Sequence, residues 1–121
     1  MGCYAVPVKI RDNGLVLNVP RVWVNPAQIA KALKRAERAL SPDVVRIRYT
    51  LRDDSTGEPS IFFKVVLSDD AASKISKLGE IAERIQFTVD DKVKPDELGL
   101  NSYFNFRSLS EQNEINEPAW E

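Results

Sequence analysis

The chain predicts an α+β domain: a small antiparallel sheet of two hairpins, two main helices on one of its faces, and a short C-terminal aromatic strand and helix. Three observations predict it. Residues 45–52 and 61–67 alternate in polarity at period two, the pattern of a sheet with one face buried. Ile29, Leu33, Ala36 and Leu40 recur at helical spacing behind Asn25-Pro26, a cap followed by the residue favoured at the first helical position. Asp12-Asn13-Gly14 separates two further alternating runs, and Asn-Gly supplies the positive φ of a tight hairpin turn. A length of 121 residues is that of a single domain. Its parts are an N-terminal hairpin over 1–24, a helix–hairpin–helix core over 25–93 and an aromatic tail over 94–121.

In the first hairpin, Val6, Val8 and Ile10 alternate with Lys9 and Arg11, and Leu15, Leu17 and Val19 resume after the turn. Pro7 cannot donate to a ladder, so this strand belongs at an edge. Pro20 ends its partner, and Val22 to Val24 suit one more short strand. The first helix follows from Asn25 and stops at Ser41-Pro42. The second hairpin puts Val45, Ile47, Tyr49 and Leu51 on one face and Arg46, Arg48, Thr50 and Arg52 on the other. After the polar loop 53–59, Ile61, Phe63, Val65 and Leu67 return on one face, which makes this hairpin the centre of the sheet. A long second helix begins at Ser68 or Asp69, with Ile75, Leu78, Ala82 and Ile85 as its stripe, extended by Val89 and Val93. Gly79 weakens that helix by about 1 kcal/mol relative to Ala, which suggests close packing there. Lys94-Pro95 interrupts, and Gly99 suits a C-cap.

The tail holds Tyr103, Phe104, Phe106 and Trp120, four of the chain's ten aromatic residues. Disordered ends are poor in aromatics, so it docks on its own domain or meets a partner. Residues 103–107 alternate like a strand, which turns Phe104 and Phe106 inward and Tyr103 and Arg107 outward, with Trp120 also outward. Ser108-Leu109-Ser110-Glu111 fits a capping box that opens a short helix ending before Pro118.

Composition excludes more chemistry than it suggests. The chain has no histidine, which removes Ser-His and Cys-His nucleophiles, the usual zinc sites and the commonest general base. The single Cys3 has no histidine to activate it and no intramolecular disulfide partner, so a reducing cytoplasm is the expected location. No phosphate-binding glycine loop occurs, and no apolar run approaches the roughly 18 residues of a membrane span. The N-terminus lacks signal-peptide regions, and Val6 stands where a myristoylation signal has Ser or Thr. Asp53, Asp54 and Glu58 crowd one loop and Asp69-Asp70 another, but turn and capping duties account for them. No catalytic residue, metal ligand or cofactor is therefore assigned.

Two basic features remain against a net charge of −1. Lys31, Lys34, Arg35 and Arg38 lie on the exposed side of the first helix, and Arg46, Arg48 and Arg52 on the polar face of a strand. Were the helix to lie beside that strand, the sets would merge into an anion-binding patch. A solvated helix face and a strand paired to nearby acids is the plainer alternative, since nucleic-acid domains are usually basic overall. Arg107 among aromatics suits base stacking, or else a strand burying Phe104 and Phe106.

Two resemblances add to this reading. Ser41-Pro42-Asp43-Val44-Val45-Arg46-Ile47-Arg48-Tyr49, Glu58-Pro59-Ser60-Ile61-Phe62-Phe63, Leu67-Ser68-Asp69, Glu97-Leu98-Gly99-Leu100 and the run from Phe104-Asn105-Phe106-Arg107-Ser108 to Ala119-Trp120 carry the first. Over residues 43–120 the chain resembles a family of small uncharacterised bacterial proteins encoded beside toxin-like or HEPN-type genes. Lys9-Ile10, Gly14 and Leu17-Asn18-Val19-Pro20 are similar to the N-terminal hairpin of AbrB-type antitoxins; Arg21 to Pro26 then replace that family's helix. The expected role is a non-catalytic protein-binding or regulatory module, and the first resemblance implies an accessory or antitoxin-like partner of a toxin-type protein. Tyr103, Arg107 and Trp120 are its expected partner-binding residues, toward another protein or a second copy. The alternative is a nucleic-acid-binding domain using the two basic sets, and the third reading is an enzyme.

Overall fold

The computed structural model describes residues 4–7, 21–74 and 78–121. Strands β1 (Tyr4–Pro7) and β2 (Arg21–Val24) pair antiparallel as a separate two-stranded sheet, with Pro7 opposite Arg21. The expected first strand begins in β1 with Val6, while its remainder, the Asn-Gly turn and the returning run to Val19 fall on residues 8–20, outside the described residues.

Helix α1 (Pro26–Leu40) forms as its sequence dictates. Asn25 accepts the Ala27 N–H at 3.0 Å, and Pro26 takes the first helical position. Ile29, Ala32, Leu33, Ala36 and Leu40 are buried along one stripe. Strands β3 (Val44–Asp53) and β4 (Pro59–Leu67) pair antiparallel as the predicted second hairpin. Ile47, Ile61, Phe63, Val65 and Leu67 point at the helices and are almost fully buried.

One expected core residue moves outward. Val44 pairs with Leu67 and Arg46 with Val66, which leaves Val45 as the extra residue of a bulge. The kink turns Val44 inward at 4% exposure and Val45 outward at 39%. Period-two counting cannot show a bulge, because the inserted residue is as apolar as its neighbour.

The segment after β4 differs more. Two helices replace the single long one: α2 (Asp69–Ser73), capped by Ser68, and α3 (Leu78–Val93). Lys74 leaves the helical conformation and closes α2. Ile75 lies outside the described residues. Leu78 is 38% exposed, and the stripe that packs is Ile81, Ile85, Val89 and Val93. Gly79 has no heavy atom within 4 Å of where a Cβ would stand, so close packing is not its role. A 3-10 turn over Pro95–Leu98 ends at Gly99, whose φ of 71° is the left-handed value expected of a C-cap glycine.

Strand β5 (Asn101–Ser108) then pairs with β4 in parallel. The main sheet is therefore mixed, in the order β3-β4-β5, with β4 central. Its direction follows from the connection: α2, α3 and the 3-10 turn carry the chain back across the sheet, as a parallel neighbour requires. A strand, helices and another strand in succession are the sequence signal for that crossover. The two main helices, α1 and α3, share one face of this sheet in a single core with β3 and β4. Helix α4 (Leu109–Ile115) starts at the predicted capping box, and a 3-10 turn over Pro118–Trp120 follows.

Candidate functional site

The sheet's outer face, away from α1 and α3, is laid out by strand register. Across β3, β4 and β5 its rows read Arg52–Ser60–Asn101, Thr50–Phe62–Tyr103, Arg48–Lys64–Asn105 and Arg46–Val66–Arg107. All three strand arginines and Arg107 thus share one face with Tyr103.

The chain's own tail covers one end of this face. Trp120 is 6% exposed, and Val66 on the same face is fully buried. The Arg107 guanidinium lies 4.1 Å from the Trp120 ring centroid, donates to Gln112 Oε1 at 2.8 Å and pairs with Glu117 at 3.0 Å. Buried Gln112 donates to the Glu117 carbonyl at 2.7 Å. Arg46 Nε donates to the Trp120 carbonyl at 2.8 Å and its guanidinium pairs with Glu121 at 3.3 Å. Arg48 Nε donates to Glu121 O at 2.6 Å, and Arg48 also pairs with Glu37 at 3.6 Å. Trp120, expected to face outward, is instead an anchor of the fold. A polar-looking terminus hid this, because its burial depends on Val66 and Arg107 meeting it from other strands.

At the other end Tyr103 does face outward, at 40% exposure. Its ring stacks on Phe62 with centroids 5.0 Å apart and planes 16° from parallel, and Arg52 lies 3.7 Å over Phe62. That spacing is the distance between neighbouring strands, so the rings stand upright and are stacked across the sheet. Arg52 and Tyr103 both lie against the Phe62 ring, and Tyr103 itself stands on the edge strand. Lys64 donates to Thr50 Oγ1 at 3.0 Å, and its burial, then the nearby Arg52, lower its pKa.

The loop acids serve structure. Asp54 Oδ1 accepts from Thr56 N, Thr56 Oγ1 and Glu58 N at 2.9, 2.6 and 3.0 Å. Its Oδ2 accepts from the Tyr103 hydroxyl at 2.7 Å and from Ser60 at 3.3 Å. The Thr56 hydroxyl, the Glu58 N–H and the Tyr103 hydroxyl hold its pKa well below the usual carboxylate range. This carboxylate fastens the β3–β4 loop to β5, a role sequence reasoning missed because β5 lies 47 residues or more away. Asp69 accepts from Ser110 N at 2.9 Å at the start of α4, and Asp70 pairs with Lys74 at 3.1 Å.

The helical layer is different. Lys31, Lys34, Arg35 and Arg38 are exposed and make no ion pair among the described residues. They line a groove of about 660 Å³ with Lys92, over a floor that includes Ile29, Ala32, Val93 and Leu98. No described carboxylate lines it. The helix and strand cations meet at Lys34. Lys34 alone shares a groove with Arg46 and Arg48, and Glu37 stands in it too. Arg52 sits at the far end of the sheet, on Phe62.

The outer side of α3 carries the opposite charge. Glu80, Glu83, Asp90 and Asp91 are exposed there around Phe87, itself 75% exposed. Burial and the neighbouring Asp96 carboxylate raise the Asp90 pKa. Phe87 falls two residues after core Ile85, on the reverse of the helix. That offset was the available signal for it, since an aromatic off the stripe has no core to join. No described helix is long and apolar enough to cross a membrane. No family model matches the chain, and the comparison with curated proteins also finds no match.

Proposed function

We propose that this domain is a non-catalytic protein-binding module that works through its helical layer, not its aromatic tail. One observation carries the reading: the layer keeps Phe87 three-quarters exposed among charges of both signs, most of which make no ion pair among the described residues. Exposed aromatics and arginines are the residue types that dominate interface energies. The tail has spent its own, Trp120 and Arg107, on the domain itself. An accessory role toward a toxin-type protein rests on the resemblance of residues 43–120 alone.

A second reading, nucleic-acid binding, is favoured by the four α1 cations that make no ion pair among the described residues. Acids on the neighbouring helix oppose it, because they repel the same phosphates. A mobility shift separates the two, since phosphate contacts make affinity fall steeply with salt. The first reading is tested by placing the photo-crosslinking residue benzoylphenylalanine at position 87, and separately at 103, in cells making the full chain. Cross-links to protein from 87 and not from 103 are expected. Cross-links from 103 alone, or salt-sensitive nucleic-acid binding abolished by Lys34→Ala with Arg38→Ala, would overturn it.

A further inference from the structure

We infer that the partner surface of the helical layer takes a second copy of this chain, α1 of each copy lying on α3 of the other. The inference rests on the protein-binding reading above and names its partner.

The geometry begins with the two helices. The start of α1 lies beside the end of α3, where Asn25 and Gln28 line the same groove as Lys92 and Val93. Just past the other end of α1, Asp43 pairs with Arg84 in the first half of α3. The helices are therefore antiparallel neighbours. Their outward faces carry opposite charge: Lys31, Lys34, Arg35 and Arg38 on α1, against Glu80, Glu83, Asp90 and Asp91 on α3, where Arg84 is spent on Asp43 and Lys92 on Asp91.

A two-fold axis running between the helices, parallel to them, turns one layer face down on another. It places each α1 over the partner's α3, again antiparallel. Lys31 then meets the end of α3 that holds Asp90 and Asp91. Arg38 meets the end that holds Glu80 and Glu83. Phe87, near the middle of α3, meets the middle of the partner's α1, where Lys34 and Arg35 offer cations to its ring. Each charge set finds its opposite twice, as an isologous interface requires. Within the chain Asp91 pairs with Lys92 at 3.5 Å; the other seven charges point away from the core and make no ion pair among the described residues.

Size sets the expected strength. Helices of 15 and 16 residues present a face roughly 23 Å long, at 1.5 Å per residue, and about 20 Å wide. Such a face buries on the order of 1,000 Å² in total, the low end for specific association. A weak dimer held by exposed charges is expected to be sensitive to salt.

Sedimentation velocity on the full chain, from 5 to 500 µM at 50 and 500 mM salt, tests this. Dimerisation is expected at low salt, weakened at least tenfold at high salt. Reversing α1 (K31E/K34E/R35E/R38E) or α3 (E80K/E83K/D90K/D91K) alone should give monomer. The chain carrying both reversals, with its net charge restored, should dimerise again. Phe87→Ser, which touches no core contact, should weaken the dimer about tenfold without altering the circular dichroism spectrum. A wild-type chain that stays monomeric at 500 µM and 50 mM salt overturns the inference, and so does a doubly reversed chain that stays folded and monomeric. Either result leaves the protein-binding reading intact if position 87 still cross-links to another protein.

Discussion

Replacing Trp120 with Ala separates a tail that secures the fold from one that waits for a partner. The indole is 6% exposed, and truncating a buried aromatic to Ala costs about 3–5 kcal/mol through lost transfer energy and the cavity left behind. The guanidinium of Arg107, its side chain only 15% exposed, loses a cation–π contact worth on the order of 1 kcal/mol. One effect limits the total. The segment from α4 onward can leave the sheet instead of holding an empty space, so the cost cannot exceed the free energy of docking that segment. About 3–5 kcal/mol is therefore the expected loss, in a domain whose whole stability is of the order of 5–15 kcal/mol. Urea melting followed by circular dichroism measures it. A double-mutant cycle with Arg107→Ala should return a coupling of about 1 kcal/mol, since the two groups are in contact. A loss below 1 kcal/mol for Trp120→Ala would refute the argument and return Trp120 to the role of an outward anchor.

Three other expectations follow from single residues. Phe63 is fully buried with its ring 4.8 Å from that of Phe104, so Phe63→Ala should cost about 3–5 kcal/mol, and a loss under 1 kcal/mol in denaturant melting would remove it from the core. Gly79→Ala meets no neighbour and no positive φ and should stabilise by up to about 1 kcal/mol; a lower melting temperature would contradict that open space. The depressed pKa of Asp54 contributes stability that is fully present above the unfolded carboxylate value and lost as pH falls through the folded one. Asp54→Asn should therefore lower the melting temperature at pH 7, and its gap to the native chain should narrow below about pH 4; a gap independent of pH would show that Asp54 acts only as a shape.

Local signals were legible in the chain and distant ones were not. The Asn25 cap, the stripe of α1, the turn between β3 and β4, Gly99 and the Ser108–Glu111 box are written within a few residues of where they act. Val45, Leu78 and Gly79 were misread because a bulge and a helix break move the register without changing residue types. The parallel direction of β5 depends on the path between strands. Trp120 illustrates the general limit: burial belongs to the pair, and Arg46, Val66 and Arg107 come from three different strands. Of the candidate site, the basic face of α1 was readable from spacing alone. Its acidic counterpart became visible only once α3 was placed beside it.

The parallel place of β5 also sets the order in which this domain can assemble. The β3–β4 pairing joins residues that are close in sequence and needs only a short loop to close. The pairing of β4 with β5 joins Ser60 to Asn101, across two helices that must first form or at least collapse. Contacts of such separation are the slow ones. Until residue 108 has been synthesised, the central strand therefore has one bare edge, and the apolar run Ile61–Leu67 lies along it. An unpaired edge of that composition invites pairing between chains. The nascent chain is thus most exposed to aggregation in the interval between making β4 and making β5, a hazard that the finished fold no longer shows.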